Sequence, residues 1–445
     1  MTSTNKKSVA HFEKARKVIP GGIQSNYRKD PSYVPTYISH GKGARLFDLD
    51  NNEYIDYSLS YGPSILGHSN EHFRSAIIAQ ANRMYSNECN ELELIAAQKI
   101  VQHVPCAELV RFACSGTEAN YNIQRVARAY TGKNHIVRFN GHYNGCLDTM
   151  IGGIVEDANN PIPIAKENEQ DLFSQMGNTA GRARHAFDDC YMIEWNDITP
   201  LRELLKHKSD DIAAVMMEPI MVNFNGCLPQ PGYLQSVREL CDQYGVLLVF
   251  DEVITGFRAG LGGAQGLFGV TPDLCTFAKA IGGGLPVSAF CGKKHIMDVV
   301  SNAEVIAAGT YNGHPLAMAA VIATLEELER NDGAAFKHIN TMGTQLCDGM
   351  RDLFKQFDVP LILQGFPGAW TIAYSEEGKI INHADSLKQG DAWARGLIFS
   401  KLMNEQNVLV QARFCTSLAH TQQEVDETLQ RAKWVLENHR SELME

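Results

Sequence analysis

Val246-Leu-Leu-Val-Phe-Asp-Glu-Val253 is the segment of this 445-residue chain that indicates its fold class. Five apolar residues in succession are typical of a strand that is buried on both faces of a parallel sheet. They are followed by Asp251, and ligands of open α/β sheets bind at the carboxyl ends of such strands. A buried carboxylate is costly unless it meets a cation. Asp251 is therefore predicted to face a cationic ligand or, as the alternative, to cap the next helix or pair with an arginine.

Similar short apolar runs recur on both sides of this segment, and helical stretches such as 118–129 and 233–244 separate most of them. The other predicted strands are residues 109–113, 135–139, 190–194, 212–217, 274–277 and 287–291. Strands that alternate with helices predict a doubly wound α/β domain with a mostly parallel sheet.

The two ends of the chain differ from this central pattern. Residues 1–65 combine a helix, a Gly21-Gly22 break and a hairpin with the turn Asp50-Asn-Asn52. Residues 334–445 combine a helix, strands and a closing helix. We expect the two ends to form one smaller α/β domain beside a large domain at 66–333. Residues 151–188 lack clear periodicity and are predicted to form a long loop near the site.

Composition excludes several classes of function. A net charge of -11 argues against a nucleic-acid surface, and no run approaches the roughly eighteen apolar residues that suggest a membrane span. The N-terminus has no apolar signal segment. Eleven scattered cysteines without a C-x-x-C pair favour reduced thiols. We expect a globular, cytoplasmic protein that acts on small molecules.

A lysine in Thr276-Phe-Ala-Lys-Ala-Ile-Gly-Gly-Gly-Leu-Pro286 is the second candidate for chemistry. Lys279 follows a predicted strand and precedes three glycines, which allow other groups to approach the backbone closely. Apolar neighbours favour burial, and burial lowers the pKa of an amine, which favours imine formation with an aldehyde. A protonated pyridine nitrogen would then be a suitable cation for Asp251. The alternative for Lys279 is a surface position beside a flexible loop.

An anion site is predicted where Ala113-Cys-Ser-Gly-Thr-Glu-Ala119 passes from a strand into a helix. Ser115, Gly116 and Thr117 would present N–H groups and hydroxyls at the helix N-terminus, where the helix dipole favours an anion. Ser115 also fits the first position of a capping box, and the two interpretations are compatible. Thr310, in the loop before another predicted helix, is a second possible phosphate ligand.

No metal is expected, although His68-Ser-Asn-Glu-His72 matches the H-x-x-E-H pattern. That motif needs both histidines on one helix, and the capping residues Ser69 and Asn70 place His68 before the helix begins. The sequence also lacks the motifs that bind nucleotide phosphates.

Taken together, these segments resemble the class III (subgroup II) aminotransferases of pyridoxal-5′-phosphate (PLP) fold type I, and in particular the glutamate-1-semialdehyde aminomutase branch. The most specific matches are Asp251-Glu-Val-Ile-Thr-Gly-Phe-Arg258, Phe277-Ala-Lys-Ala-Ile-Gly-Gly-Gly-Leu-Pro286 and Gly309-Thr-Tyr-Asn-Gly-His-Pro-Leu-Ala-Met318. The resemblance covers nearly the whole chain. It implies a large PLP-binding domain, a smaller domain and an obligate homodimer with shared active sites.

The resemblance implies that PLP is held as an internal aldimine on Lys279, which also shuttles the proton. Asp251 would pair with the pyridinium nitrogen. Val253 would pack on one face of the ring, and Tyr143 would stack on the other.

Further contacts are implied for polar residues around the cofactor. Those for the phosphate are Ser115, Gly116, Thr117 and, from the partner subunit of the dimer, Thr310. Glu218 and Asn223 resemble polar residues near the cofactor's O3′ and the substrate.

For the substrate, Ser25 and Arg28 align with the pair that holds the carboxylate in the aminomutase branch, and Tyr61 aligns with an aromatic residue that lines the pocket. A guanidinium is well suited to binding a carboxylate. The alternative for Arg28 is a surface arginine on a loop.

Two departures from the aminomutase branch bear on the reaction. Asn144 stands where that branch usually has histidine. The C-terminal stretch Gln411-Ala-Arg-Phe-Cys-Thr416 lacks the branch's glutamate and contains Arg413 instead. Arg413 suggests a second carboxylate contact, as for a dicarboxylic amino donor.

An aminotransferase is therefore the predicted function. The enzyme would move an amino group, through pyridoxamine phosphate, from an amino acid or amine donor to a keto acid, aldehyde or ketone acceptor. One alternative is an amino acid racemase or epimerase, which needs a second acid opposite Lys279. The other is glutamate-1-semialdehyde 2,1-aminomutase itself. The sequence does not identify the donor or the acceptor.

Overall fold

The structure is a computed structural model that describes residues 6–28, 35–86, 88–150, 154–157, 160–164, 183, 186, 188–390, 392–411 and 413–444. In chain order its strands are β1 (Ile38–Lys42), β2 (Arg45–Asp48), β3 (Glu53–Asp56), β4 (Leu109–Ala113), β5 (His135–Phe139), β6 (Ile154–Asp157), β7 (Asn160–Ile164), β8 (Cys190–Ile193), β9 (Ile212–Met217), β10 (Leu247–Asp251), β11 (Leu274–Phe277), β12 (Ser288–Gly292), β13 (Leu361–Phe366), β14 (Ala369–Tyr374), β15 (Val408–Leu409) and β16 (Arg413–Cys415).

The helices, in the same order, are α1 (Lys6–Ala15), α2 (Glu71–Arg83), α3 (Glu91–His103), α4 (Gly116–Thr131), α5 (Ile198–Lys208), α6 (Tyr233–Tyr244), α7 (Gly263–Phe268), α8 (Lys294–Ser301), α9 (Pro315–Gln356), α10 (His383–Lys388), α11 (Ala392–Glu405) and α12 (Gln422–Met444). Among the described helices, none combines the length and the apolar character that a membrane crossing requires.

A nine-stranded sheet with the order β4-β12-β11-β10-β9-β5-β8-β6-β7 forms the centre of the molecule. Neighbouring strands from β11 to β6 in this order are parallel. β12 is antiparallel to both of its neighbours, and β7 is antiparallel to β6. The predicted α/β class with a mostly parallel, doubly wound sheet is therefore confirmed.

Burial on both sheet faces explains the continuous apolar runs. In β10, Leu248 and Phe250 belong to the core cluster on one face, and Leu247 and Val249 belong to the cluster on the other. Because both faces are covered, an apolar residue is favoured at every position of the strand. The observed strands at the predicted positions lie within one residue of the predicted bounds.

Both chain ends contribute to a second group of elements. β15 pairs in parallel with β3 in a four-stranded sheet, and β13, β14 and β16 form a three-stranded sheet. One apolar cluster contains Tyr57 from the first end and Phe399 and Val435 from the second. The domain boundaries at 65/66 and 333/334 stay predictions, and α9 crosses the second with a break in its helical backbone at 330–333.

The prediction of a long loop over residues 151–188 is wrong in part. β6 and β7 lie within it and extend the central sheet, with β7 as its last strand. Pro161 and Pro163 make β7 hard to recognise in the sequence, because proline has no N–H to donate and is confined mainly to edge strands. Residues 165–182 lie outside the described residues, and the position of a loop near the site stays a prediction.

Candidate active site

A cavity of about 370 Å³ lies at the carboxyl ends of β10 and β11, beside the N-terminus of α4. Its described lining includes residues from the turn before α4, the loop after β5 and the segments after β10 and β11: Ser115, Gly116, Thr117, Asn120, Tyr143, Asn144, Gly145, Val253, Ala278 and Lys279. The fold therefore brings six of the predicted cofactor residues to one cavity from four separate segments.

Asp251 lies just behind the cavity wall and bonds residues that form it. Asn120 Nδ2 and Asn144 Nδ2 donate to Asp251 Oδ2 over 2.7 and 2.8 Å, and the Val253 amide donates to Oδ1 over 3.0 Å. Burial raises the pKa of Asp251, and these hydrogen bonds together with the charge of Lys279 partly offset the rise. A carboxylate held in this way can pair with a cation in the cavity.

Lys279 opens a 3-10 turn directly after β11. Its φ of +48° is in the left-handed region, which is uncommon for a residue other than glycine and recurs at functional sites. Burial lowers the pKa of Lys279 to about 8, and the charge of Arg413 contributes to the fall, while Asp251 and Glu218 oppose it. The neutral amine that attacks an aldehyde is therefore much more abundant near neutral pH than it is for an ordinary lysine.

The predicted anion site lies at the start of α4. Ser115 caps the helix, since its Oγ accepts the Glu118 amide proton over 3.2 Å, and the Glu118 carboxylate accepts from the Cys114 amide over 3.0 Å. The capping interpretation thus holds for Ser115, whose hydroxyl proton can still be donated to an anion. The amides of Gly116 and Thr117 lie in the first turn, where a helix offers no acceptor for them.

Two glycines let other groups come close to this turn. A Cβ placed on Gly116 would lie 3.1 Å from Val253 Cγ2, and one placed on Gly145 would lie 2.8 Å from Thr117 Oγ1. Gly145 also has a φ of +132°, which side chains rarely allow. The result is a cradle of the kind that binds phosphate at helix N-termini.

Glu218 supports the loop that carries Tyr143. Its Oε1 accepts from the Tyr143 amide over 2.7 Å and from Asn223 Nδ2 over 2.9 Å. Burial raises the pKa of Glu218 to about 7, and the charge of Asp251 adds to the rise. Tyr143 belongs to the cavity lining, whereas Glu218 and Asn223 lie behind it. The predicted contacts of these two residues with cofactor and substrate stay predictions.

Four of the five predicted substrate residues lie in one region. Burial raises the pKa of Tyr61, whereas the charges of Arg28 and Arg413 and a hydrogen bond with Gln411 lower it. The Arg28 amide donates to the Ser25 carbonyl over 2.9 Å. Within the described part of the chain, neither arginine has a carboxylate partner.

Thr310 is exposed and lies outside the described cavity lining of its own chain. A role for this residue in the site of a partner subunit therefore stays a prediction.

These residues fit PLP, the cofactor that the sequence resemblance implies. The cradle at α4 suits its phosphate, Asp251 suits its ring nitrogen, and Lys279 suits its aldehyde. When bound, PLP supplies an electron sink for bonds at the substrate Cα. The chain would orient the phosphate at α4, hold a proton opposite Asp251 and move a proton at the Nζ of Lys279.

Asn120 belongs to the site although the motifs in the sequence do not single it out. It occupies the buried face of α4, where Ile123 and Val126 are core residues. A polar side chain at a buried position needs a partner, so this placement is a signal that sequence reasoning can use.

Arg258, which ends one of the segments that carry the resemblance, lies outside the described cavity lining. It is 1% exposed, and its Nη1 donates to the carbonyl oxygens of Gly368 and Thr416 over 3.1 and 3.0 Å. Its Nη2 donates to the carbonyl oxygen of Gly62, which follows Tyr61. Arg258 thus ties the segment after β10 to both ends of the chain.

The H-x-x-E-H histidines have different partners. His68 Nε2 contacts Asp56 Oδ2 at 2.7 Å, and His72 Nε2 contacts Glu326 Oε2 at 2.9 Å. Their imidazoles are therefore engaged separately, and α2 begins at Glu71, so His68 precedes the helix as predicted.

Three buried cysteines meet in the core outside the described cavity lining. Cys275 Sγ lies 3.1 Å from Cys106 Sγ and 3.2 Å from Cys291 Sγ. Both separations are shorter than the spacing of about 3.8 Å that tetrahedral Zn–S bonds impose on two sulfurs. We interpret the three thiols as small apolar residues that pack against one another.

Comparison with known proteins agrees with this arrangement. The family model Aminotransferase class-III matches residues 27–433. A glutamate-1-semialdehyde 2,1-aminomutase of Acetivibrio thermocellus is 39% identical over 436 residues, which cover 96% of this chain and 97% of that protein.

Solved structures of transaminases also superpose on nearly the whole chain. An omega-transaminase from Sphaerobacter thermophilus superposes with a TM-score of 0.88 at 28% identity, covering 97% of this chain and 98% of that one. A transaminase with PLP bound superposes with a TM-score of 0.83 at 26% identity, covering 98% of this chain and 100% of that one.

Proposed function

Because the chain belongs to the class III aminotransferase family and is a PLP enzyme, we propose that it is a transaminase. It would move an amino group from an amino acid or amine donor to a keto acid, aldehyde or ketone acceptor in two half-reactions. The names of its relatives include both aminomutases and transaminases. The choice between these reactions therefore depends on the residues around the substrate.

The observation that carries this proposal is the position of Arg413. Its charge adds to the fall in the pKa of Lys279 and offsets part of the rise that burial causes in the pKa of Tyr61, so the guanidinium lies near both side chains. Within the described residues no carboxylate neutralises it. A guanidinium in this position can bind a substrate carboxylate, whereas the glutamate that is usual in the aminomutase branch would repel one.

Arg28 adds a second guanidinium near Tyr61. Two arginines in one region favour substrates with two carboxylates, or a donor and an acceptor that each present one carboxylate. Ser25 would assist Arg28, and Asn223 would face the substrate from the side of Glu218. The proposed donor class is therefore an amino acid, with dicarboxylic amino acids first among the candidates.

The cofactor contacts proposed for this reaction combine residues of the cavity lining with the contacts that the sequence resemblance implies for Glu218 and Thr310. Tyr143 and Val253 would enclose the ring, and Glu218 would lie near O3′. The phosphate would be held by Ser115, Gly116, Thr117 and Thr310 of the partner subunit. A homodimer is thus part of the proposal.

Glutamate-1-semialdehyde 2,1-aminomutase is the second candidate. The 39% identity to an aminomutase across nearly the whole chain favours it. The missing glutamate near Arg413 and the replacement of the usual histidine by Asn144 favour the transaminase instead.

A racemase would require a second proton donor opposite Lys279. The described residues that line the cavity include no aspartate or glutamate, and their tyrosine, Tyr143, is the residue proposed to stack on the cofactor ring. The racemase therefore ranks below both other candidates.

The test is a half-reaction assay on the purified holoenzyme. L-glutamate, L-alanine, β-alanine and 1-phenylethylamine are added separately while the visible absorbance band of the lysine-bound cofactor is followed. A transaminase loses the band with its donor and regains it when 2-oxoglutarate or pyruvate is added. Lys279→Ala serves as the control, because it lacks the amine that produces the band.

Two other outcomes would replace the proposal. Formation of 5-aminolevulinate from glutamate-1-semialdehyde, with no bleaching by any of these donors, identifies the aminomutase. Exchange of a substrate Cα proton for deuterium, without bleaching of the band, identifies the racemase.

A further inference from the structure

A continuous line of hydrogen bonds runs from a buried arginine to Asp251. Arg138, on β5, donates from Nε to Asn144 Oδ1 over 3.0 Å, and Asn144 donates from Nδ2 to Asp251 Oδ2 over 2.8 Å. Arg138 is 2% exposed, and Asn144 is 1% exposed. The three side chains therefore form one network at the wall of the cavity, in which both donated protons point towards Asp251.

We propose that Arg138 orients Asn144 as a permanent hydrogen-bond donor, and that Asn144 thereby keeps Asp251 ionised so that it holds a proton on the ring nitrogen of the cofactor. The inference rests on the PLP site and not on the choice between transaminase and aminomutase. Arg138 and Asn144 are positioning residues in this scheme, because they act through Asp251.

The amide of Asn144 has two possible orientations, and Arg138 decides between them. An arginine donates hydrogen bonds and cannot accept them, so the oxygen of the amide must face it. The NH2 group then faces Asp251. If the amide turned round, its NH2 group would oppose the guanidinium, and its oxygen would oppose the carboxylate. Both contacts would be repulsive in a buried site.

Asn120 completes the arrangement from α4. Its Nδ2 donates to Asp251 Oδ2 over 2.7 Å and to the Asn144 carbonyl oxygen over 2.7 Å. Thr276 Oγ1 donates to Asn120 Oδ1 over 2.6 Å, and the Asn144 carbonyl oxygen, which can only accept, fixes the orientation of the Asn120 amide. One carboxylate oxygen therefore receives two oriented amide donors, neither of which can gain or lose a proton near neutral pH.

Such donors are needed because the other groups around Asp251 have opposing effects on its ionisation. Burial favours its protonated form, and the carboxyl of Glu218, just after β9, acts in the same direction when it is ionised. Lys279, after β11, favours the ionised form only while it carries its proton. An arginine side chain donates hydrogen bonds and accepts none, so it holds the Asn144 amide in one orientation. Asn144 thus brings Asp251 a stabilising interaction that does not depend on pH.

This role makes the identity of residue 144 important for the protonation of the cofactor. Histidine, which the aminomutase branch usually has there, can change its protonation state near neutral pH, whereas an amide cannot. The ring nitrogen in this chain should therefore stay protonated across the neutral range.

The test is the nitrogen-15 NMR signal of PLP labelled at the ring nitrogen, because this signal separates the protonated from the unprotonated ring. We expect a protonated ring in the unaltered holoenzyme. Asn144→Leu, which removes the donor and keeps the number of side-chain heavy atoms, should shift the signal towards the unprotonated ring. It should also raise the Kd for PLP by about tenfold, the loss expected for one hydrogen bond to a charged group.

Substitutions of Arg138 distinguish its orientation of the Asn144 amide from the effect of its positive charge. Arg138→Gln retains an N–H donor for Asn144 and should leave the ring protonated. Arg138→Met removes the donor and should shift the signal as Asn144→Leu does.

Asn140→Leu is the matched control. Asn140 lies in the same segment, but its amide bonds Glu194 and not Asp251. Its substitution should leave the ring signal unchanged. Melting curves of the cofactor-free proteins identify any variant that fails to fold, and the Arg138→Gln and Arg138→Met pair then carries the test in place of Asn144→Leu.

A folded Asn144→Leu protein with a fully protonated ring would overturn the proposal. So would an Arg138→Gln protein that loses the ring proton as completely as Arg138→Met, because orientation by a neutral donor would then be insufficient. Neither result depends on an amino donor, so failure of this inference is distinguishable from failure of the proposed function.

Discussion

The guanidinium of Arg258 donates to the carbonyl oxygen of Thr416 over 3.0 Å, which joins the segment after the Asp251 strand to the end of the strand that carries Arg413. The same side chain donates to Gly62 and Gly368. It therefore links the cofactor side of the cavity to the segments that contain Tyr61 and Arg413.

We expect Arg258→Met to lower the free energy of unfolding by about 3 kcal/mol or more, because three buried carbonyl groups would lose their donor. Denaturant unfolding of the cofactor-free protein measures this. Arg16→Met is the control, since Arg16 forms an exposed ion pair with Glu13 and should cost less than about 1 kcal/mol. Equal effects of the two substitutions would contradict the role of Arg258 as a link.

The rate at which PLP attaches to the cofactor-free protein should rise with pH and reach half of its maximum at about pH 8. Only the neutral amine of Lys279 attacks the aldehyde, and its pKa is lowered to about 8 from 10.5. Growth of the visible band after rapid mixing measures the rate. Arg413→Gln should move the midpoint upward, because the charge of Arg413 lowers this pKa. A midpoint at about 10 in the unaltered protein, the ordinary value for lysine, would show that Lys279 is not desolvated.

Glu218 should make stability depend on pH in a defined window. Its pKa is about 7 in the folded chain and 4.5 in the absence of burial, so between these values the folded state binds the extra proton. The free energy of unfolding should therefore fall as pH rises through this window, by up to about 3 kcal/mol from this group.

Glu218→Gln should remove this part of the pH dependence while the contributions of other groups remain. Denaturant unfolding of both proteins on the acid and the alkaline side of this window gives the comparison. The quantity to compare is the change in the free energy of unfolding between the two pH values. Stability at a single pH is not sufficient, because the substitution also alters the hydrogen bond that the Asn223 backbone N–H donates to Glu218. Equal changes in the two proteins would rule out a raised pKa at Glu218.

Arg413→Gln should raise the KM for a dicarboxylic donor such as L-glutamate by about 10- to 100-fold, the loss expected for a charge-assisted hydrogen bond to a carboxylate. The KM for 1-phenylethylamine, which has no carboxylate, should change little. Steady-state kinetics with both donors measure the difference. A similar rise for both would indicate that Arg413 shapes the pocket and does not recognise a carboxylate.

Much of the fold could be predicted because it depends on local patterns. Most strands of the central sheet leave short runs that are rich in apolar residues, and such runs locate β4, β5, β8, β9, β10, β11 and β12 within one residue. β6 and β7 have no such run, and the prolines in β7 are tolerated because it lies at the sheet edge. The edge position of β7 depends on the order of the strands in the sheet, and a local sequence pattern does not contain this order.

Lys279, Asp251 and the turn at 115–117 can be recognised as candidates without the structure, since each lies directly after a predictable strand and carries its chemistry in a few consecutive residues. Only the folded structure shows that Asn120 and Arg138 belong to the hydrogen-bond network of Asp251. The same is true of Arg258, which joins both chain ends. The contacts that Asn120 and Asn144 make with Asp251 connect residues far apart in sequence, and they exist because the fold brings α4, β10 and the loop after β5 together. A polar side chain can find its buried partner only after the strands between them have taken their order, so the partner is a property of the packed chain.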